Sequence, residues 1–257
     1  MRRNLIRFLA LIWLFGLNAL PAYAQEAARV VMLTGSASAQ APNAKPRPLA
    51  KDSVLHPGDT VQTDRNATLR LRFADASEIT LQADTRISID QFKFNDADPG
   101  ADRLVLDFIK GGLRAISGAI GKRGNPDAYE LRTQAGNIGI RGTDYALLIC
   151  GAHDAACGEL HVPSDFGDNS VRLPEGLYVY VFEGVIRAAN ESGAKEWHAG
   201  KSGYVRDRYT LPRVLSDDPG LRGKFQKLRE AGEREREPEV DQDKLRRLKK
   251  RLKHRAD

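Results

Sequence analysis

The sequence predicts an all-β protein: an antiparallel β-sandwich or roll of about a dozen short strands, closed by a charged, partly helical C-terminal tail. Three observations carry this expectation. After the first 24 residues, apolar side chains recur mostly with period two. The runs are short and are broken at fairly regular intervals by Gly, Pro, Asp and Asn. Long helical periodicity is absent from the body, and a period of two puts alternate side chains on one face of a strand. With 257 residues, 41% hydrophobic and 29% charged, the chain can bury a proper core. Two cysteines exclude a disulfide-dense miniprotein, so hydrophobic packing must hold the fold together.

Taken in order, residues 29–33 open the series and Gly35 ends the first run. Residues 41–49 carry three prolines, which fits a loop or a sheet edge because proline donates no ladder hydrogen bond. Pro57-Gly58-Asp59 forms a turn ahead of Val61. Residues 68–73 alternate Leu69, Leu71 and Phe73 inward with Arg70 and Arg72 outward, and Asp75-Ala76-Ser77 leads into Ile79 and Leu81. This is the most legible hairpin in the chain. Ile87 and Ile89 alternate, as do Leu104, Leu106 and Phe108 before Gly111-Gly112 breaks the run. Residues 129–133, 144–150, 177–183, 185–188 and 198–205 complete the strands, with the third and fourth of these meeting at Glu183-Gly184. The glycines between Gly136 and Gly142 read as tight turns needing positive φ. A phosphate cradle would need a following helix, and β-type residues follow instead.

The ends of the chain differ from its body. Arg2, Arg3 and Arg7 precede an apolar run over residues 8–17 and then Pro21-Ala22-Tyr23-Ala24. This reads as an export signal over residues 1–24, cleaved between Ala24 and Gln25. The alternative is an uncleaved anchor over residues 5–20 with Arg7 snorkelling, although the apolar run is short of the roughly 20 residues a spanning helix needs. A cleaved leader of this kind places the mature protein in the oxidising periplasm of a Gram-negative bacterium. The net charge of +6 is uneven: the leader holds +3 and residues 219–257 hold +6, leaving the body at −3. A mildly acidic body argues against nucleic acid as a partner. In the tail, Lys244, Arg246, Arg247, Lys249, Lys250, Arg251, Lys253 and Arg255 surround Leu245, Leu248 and Leu252. On a helix these leucines make a narrow stripe, which suits contact with an anionic membrane surface or an acidic partner, or else a solvated tail.

Chemistry has few nominees. Cys150, His153, Cys157 and His161 have a spacing that could hold zinc. Two cysteines after an export signal more often pair, so a Cys150–Cys157 disulfide is expected and no metal or other cofactor. There is no Gly-x-Ser-x-Gly elbow and no His-Glu-x-x-His pair, and the five histidines are scattered. Asp84 with Asp90, or Asp75 with Glu78, could form the acid pair of a glycan-acting enzyme, but turn and strand positions explain them more simply. Tyr178, Tyr180 and Phe182 share one parity and read as core. Trp197 and Tyr204, with His198 and Tyr209 near them, offer a glycan-stacking surface as an alternative reading.

The order of these segments resembles the FecR domain, a periplasmic β-rich module associated with iron-uptake signalling. The matching features are the strand over residues 30–35, Pro57-Gly58-Asp59 ahead of Val61-Gln62-Thr63, the hairpin over residues 69–81 and Gly111-Gly112-Leu113. Arg141-Gly142-Thr143-Asp144-Tyr145, Phe182-Glu183-Gly184-Val185 and Ala199-Gly200-Lys201 follow in sequence order. The resemblance spans residues 28–205 and marks Gly58, Asp59, Gly112, Gly142, Thr143, Gly184 and Gly200 as family-motif turns. It differs at Asp75-Ala76, where the family usually has Asp-Gly, a change expected to alter only the local turn type. Together with the leader and the tail composition, this divides the chain into a signal peptide (residues 1–24), a FecR-like β domain (25–215) and a charged tail, helical or disordered (216–257). The resemblance implies a soluble, exported module without the cytoplasmic anti-sigma region. It also implies a non-catalytic role in which turns and edge strands recognise another envelope protein or an extracytoplasmic ligand. The alternative is a structural envelope component that binds peptidoglycan or another glycan.

Overall fold

A computed structural model describes residues 25–123, 125, 127–152, 154–167 and 170–234. Among these, fifteen strands form one open, mixed sheet that is folded over on itself. Three long strands run through both halves: β9 (Arg103–Ile116), β11 (Gly136–Cys150) and β12 (Gly176–Asn190). Their halves nearest Cys150 build the first layer. It also contains β1 (Ala28–Thr34), β4 (Val54–Leu55), β6 (Thr68–Phe73), β7 (Glu78–Leu81), β14 (Ser202–Val205) and β15 (Arg213–Val214). Their other halves build the second layer with β2 (Ala37–Gln40), β3 (Arg47–Pro48), β5 (Thr60–Thr63), β8 (Arg86–Lys93), β10 (Tyr129–Thr133) and β13 (Gly193–His198). Inward residues of both layers share one core, including Leu71, Ile79, Phe108, Leu147, Ile186 and Trp197.

The fold-over is made by glycine. Gly111 in β9, Gly142 in β11 and Gly184 in β12 have φ of +90°, +54° and +77°, a region costly for residues with a Cβ. The β11–β12 register slips between Arg141 and Asp144, as a bulge requires. A Cβ at Gly184 would run into the carbonyl oxygen of Gly142, so the two kinked backbones touch where no side chain could fit. Thr143 then ties the paired kinks of β11 and β12 to the end of β9. Its N–H donates to Ser117 Oγ at 2.8 Å and its hydroxyl donates to the Val185 carbonyl at 2.9 Å. The Ser117 N–H donates to the Thr143 carbonyl at 3.0 Å. The expected turn is present at Gly136, where the chain reverses between β10 and β11. At Gly111, Gly142 and Gly184 the strands continue instead: each kink changes direction while neighbours on both sides keep the ladder paired.

The hairpin over β6 and β7 has the expected register, with Leu71 opposite Ile79 and Leu69 opposite Leu81. At its tip Ala76 adopts φ +66°, so alanine occupies the left-handed position that suits glycine. The buried Asp75 carboxylate holds the tip, accepting the Ser77 N–H at 3.0 Å, the Ser77 hydroxyl at 2.7 Å and the Ile120 N–H at 3.2 Å. One pair departs from antiparallel pairing: β9 and β10 are parallel, with Leu131 opposite Leu106. Having crossed into the first layer, β9 must send the chain back to the second, and β10 starts beside the start of β9. The stretch expected as one strand over residues 198–205 is two strands, because Gly200, at φ +79°, turns the chain from β13 in one layer to β14 in the other.

The outer face of the first layer is covered. Helix α1 (Ala155–Gly158) lies in the loop that the Cys150–Cys157 disulfide closes, with Cα atoms 5.9 Å apart. Helix α2 (Leu221–Arg234) presents Leu221 and Phe225, both 0% exposed, to Leu148, Tyr178, Tyr180 and Tyr204. Gly112 makes this possible, since a Cβ there would lie 3.1 Å from the Phe225 ring. Beneath the helix, Arg114 grips Asp144 through two parallel bonds of 2.9 and 2.6 Å. The same guanidinium lies 3.8 Å from the Phe182 ring centroid and donates to the Phe225 carbonyl at 3.2 Å. A buried charge is tolerable only when its donors are all engaged. Between the layers, the Tyr129 and Tyr145 hydroxyls are 2.6 Å apart, and burial pushes both phenols well above their ordinary range. Among the described residues no helix is long and apolar enough to cross a membrane. Residues 1–24 and the basic segment Lys244 to Arg255 lie outside the described residues.

Three outcomes follow. Ala76→Gly removes the left-handed penalty and raises stability by about 1 kcal/mol in denaturant unfolding; an unchanged midpoint contradicts a strained tip. Arg114→Ala leaves the Asp144 carboxylate, 10% exposed, without its cation and costs about 3–5 kcal/mol; a loss near zero shows that the pair carries no structural load. Because Tyr129 and Tyr145 are harder to ionise when folded, they bind more protons in the native than in the unfolded state at high pH. Their contribution is complete below about pH 10, where unfolded tyrosine titrates, and is lost as pH rises above it. Phenolate absorbance of these two residues should therefore appear only together with loss of the circular dichroism signal.

Candidate functional site

Among the described residues, the outer face of the second layer, unlike that of the first, has no helix over it at β10 to β13. Alternation along the strands sorts the side chains there. Ile138, Ile140, Ile186, Ala188 and Trp197 point into the core, so Gly139, Arg141, Val185, Arg187, Glu196 and His198 point outward. The ladders align them in rows: Glu130, Gly139, Arg187 and Glu196 lie across four strands, and Arg141, Val185 and His198 form the next row. Gly139 leaves the floor low. A Cβ there would have only the Arg187 carbonyl within reach, at 4.0 Å. The result is a groove of about 530 Å³, within the usual range for small-ligand sites.

Charge in the groove is divided. At the β10 side, Arg103 donates to Glu130 at 2.9 Å and to the Asp127 carbonyl, and Asn137 donates to the other Glu130 oxygen at 2.9 Å. Arg132 lies 3.4 Å from Glu130 and 3.1 Å from Asp90. Burial raises the pKa of the neighbouring Asp107, with the Asp90 and Glu130 carboxylates adding to the rise and Arg132 opposing it. Toward the kinks the pattern changes. The side chains of Arg141, Arg187, Glu196 and His198 make no hydrogen bond or ion pair with other described residues.

β13 forms one border of this face and pairs only with β12 among the described residues. The other edge strands, β3, β4 and β15, are two residues each, and β3 ends in Pro48. β13 has six residues, all exposed except Trp197.

The residues singled out from sequence fall mostly on architecture. Gly58, at φ +92°, turns the chain into β5. The buried Asp59 accepts from Arg47 at 2.9 Å and from the His56 N–H at 3.0 Å. Gly112, Gly142, Thr143 and Gly184 belong to the kinks and the helix seat, and the Gly200 N–H donates to the Val181 carbonyl at 2.8 Å. The stacking surface requires correction. Trp197 is 1% exposed and lies over the Gly203 backbone, while Tyr204 is 4% exposed with its hydroxyl donated to the Glu175 carbonyl. Core rings offer no face to a sugar. Cys150 and Cys157 are bonded to each other, which leaves no thiolate for a metal; His161 pairs with Asp217 at 3.0 Å, and His153 lies outside the described residues. Asp75 is saturated by its own turn, and Asp90 pairs with Arg132. Gln25 holds the Phe94 carbonyl at 2.9 Å, and Ala24 lies outside the described residues. Arg187 and Glu196 were not singled out from sequence. Their signal was outward parity beside Ile186 and Trp197, and it became readable only once the strands were aligned.

No curated protein matches the sequence. Two crystal structures of a protein from Parabacteroides distasonis ATCC 8503, provisionally assigned as an anti-sigma factor, align at 11% and 12% identity and TM-scores of 0.45. Each alignment covers 65% of this chain, and the chain spans 63% and 64% of those proteins' lengths. A structure described as a cell surface anchoring domain aligns at 22% identity and a TM-score of 0.24, covering 24% of this chain and 83% of its own. The family described as FecR protein matches residues 59–158, from the Asp59 turn through the kinks of β9 and β11 to the end of the disulfide loop. Over that span, less than half of the chain, the sequence is similar to the FecR protein family.

Proposed function

We propose that this protein, similar to the FecR family over residues 59–158, is a non-catalytic recognition protein of the bacterial envelope, acting in sensing or signalling by adding an extended segment of a partner protein to the free edge of β13. The observation that carries the reading is the contrast among the edges. An added strand needs a row of open backbone donors and acceptors. β3, β4 and β15 give two residues each, and Pro48 removes a donor from β3. β13 gives six, beside a solvent-open groove. The FecR match supports a signalling or sensing role, and the leader over residues 1–24 with its Ala22-Tyr23-Ala24 end supports export to the periplasm. The basic residues from Lys244 to Arg255 would raise the local concentration at an anionic surface.

A photo-reactive amino acid in place of Lys195, in living cells, tests this. A discrete adduct is expected from position 195 and none from the same probe in place of Val214 on β15. Equal yields at both positions, or no adduct at 195, would overturn edge recognition. Fractionation of the protein with the cytoplasm would overturn the envelope assignment.

A further inference from the structure

The groove carries an inference separate from the β13 edge. Arg141 stands opposite Val185, and Arg187 stands opposite Gly139, so the two arginines are diagonal neighbours on one face of the β11–β12 pair. Diagonal positions of this kind are about 7–8 Å apart, within the span that two arginine side chains can close around one anion. Both guanidiniums lack a partner among the described residues, although each presents five donors in a fixed fork. Two like charges held that close repel each other, and an oxyanion between them removes the repulsion.

The surroundings narrow the ligand class. The Arg103, Glu130 and Asn137 side chains are already bonded to one another, so they add no free charge. Glu196 lies directly opposite Arg187 and is also without a partner. Asp127, on the β10 side of the groove, carries a second carboxylate with no ion pair among the described residues, so the positive charge is local to the Arg141–Arg187 diagonal. A single carboxylate fits between the two arginines, and the Glu196 and Asp127 carboxylates would repel a dianion or a polyanionic surface. The small floor made by Gly139 and Ala189 admits a group lying flat on the sheet. We infer that this groove is a seat for a small carboxylate-bearing ligand: Arg141 and Arg187 hold the carboxylate, and Glu196 accepts a hydrogen bond from an adjacent N–H or O–H of the same molecule.

N-acetylglycine has this chemistry, a single carboxylate beside an amide N–H, and N-acetylglycinamide is its neutral counterpart. In titrations of the isotope-labelled full-length chain followed by NMR, N-acetylglycine should give saturable shifts at the Arg141 and Arg187 Nε–H groups and at the Gly139 amide. The neutral amide should give none, and inorganic phosphate should bind more weakly. Arg141→Gln with Arg187→Gln should weaken binding at least about tenfold, as expected for loss of charge-assisted bonds. Gly139→Val, whose side chain would fill the floor on strand backbone, should abolish it. Because the signals belong to the groove, attraction to the basic tail cannot produce them. Absence of saturable shifts, an equal response to the neutral amide, tighter binding of phosphate, or full binding by the arginine double variant would each overturn the inference. If Gly139→Val fails to fold, the surface arginine variants decide the question alone.

Discussion

Everything in this architecture depends on three long strands that bend: β11 and β12 bend side by side at Gly142 and Gly184, and β9 bends at Gly111, opposite Ile149 farther along β11. A sheet of this many strands cannot remain flat and bury both faces, and here it folds across itself. Bending β11 and β12 together requires their backbones to meet with no side chain between them, which is why Gly184 rests on the Gly142 carbonyl. Thr143 converts that contact into a hydrogen-bonded seam through Ser117 and Val185. The seam costs little, because each kinked strand resumes its ladder on the far side.

The groove is a consequence of the same bend. Had the chain reversed at Gly142 and Gly184, the halves of β11 and β12 that carry Arg141 and Arg187 would not lie side by side in the second layer. Since the strands continue, parity places Ile138, Ile140 and Ile186 in the core and the arginines outside. The missing side chain of Gly139 provides the depth. The kink glycines thus shape the groove by fixing which residues are aligned within it.

The two outer faces are treated differently. Over the first layer, Phe225 and Leu221 complete an apolar cluster, and Arg114 is charged, buried and fully engaged by Asp144, the Phe182 ring and the Phe225 carbonyl. Over the second layer between β10 and β13, charged side chains meet solvent, and Arg141, Arg187 and Glu196 have no partner among the described residues. An unpaired surface charge costs little in stability, so this is the face on which residues are free to serve recognition.

The sequence by itself determined what depends on neighbours along the chain. Alternation set the β class and the β6–β7 hairpin, seven-residue spacing brought Cys150 and Cys157 together, and the ordered turns carried the FecR likeness. What it could not decide was whether a glycine ends a strand or bends one, since either use demands positive φ. Only strands on both sides make the difference, and those strands are remote in sequence. The same reason hid Trp197 in the core rather than on a surface, made β9 and β10 parallel, and placed Arg141 diagonally from Arg187. Local chemistry chose the strands; long-range pairing chose their layer, their direction and the side chains they bring together.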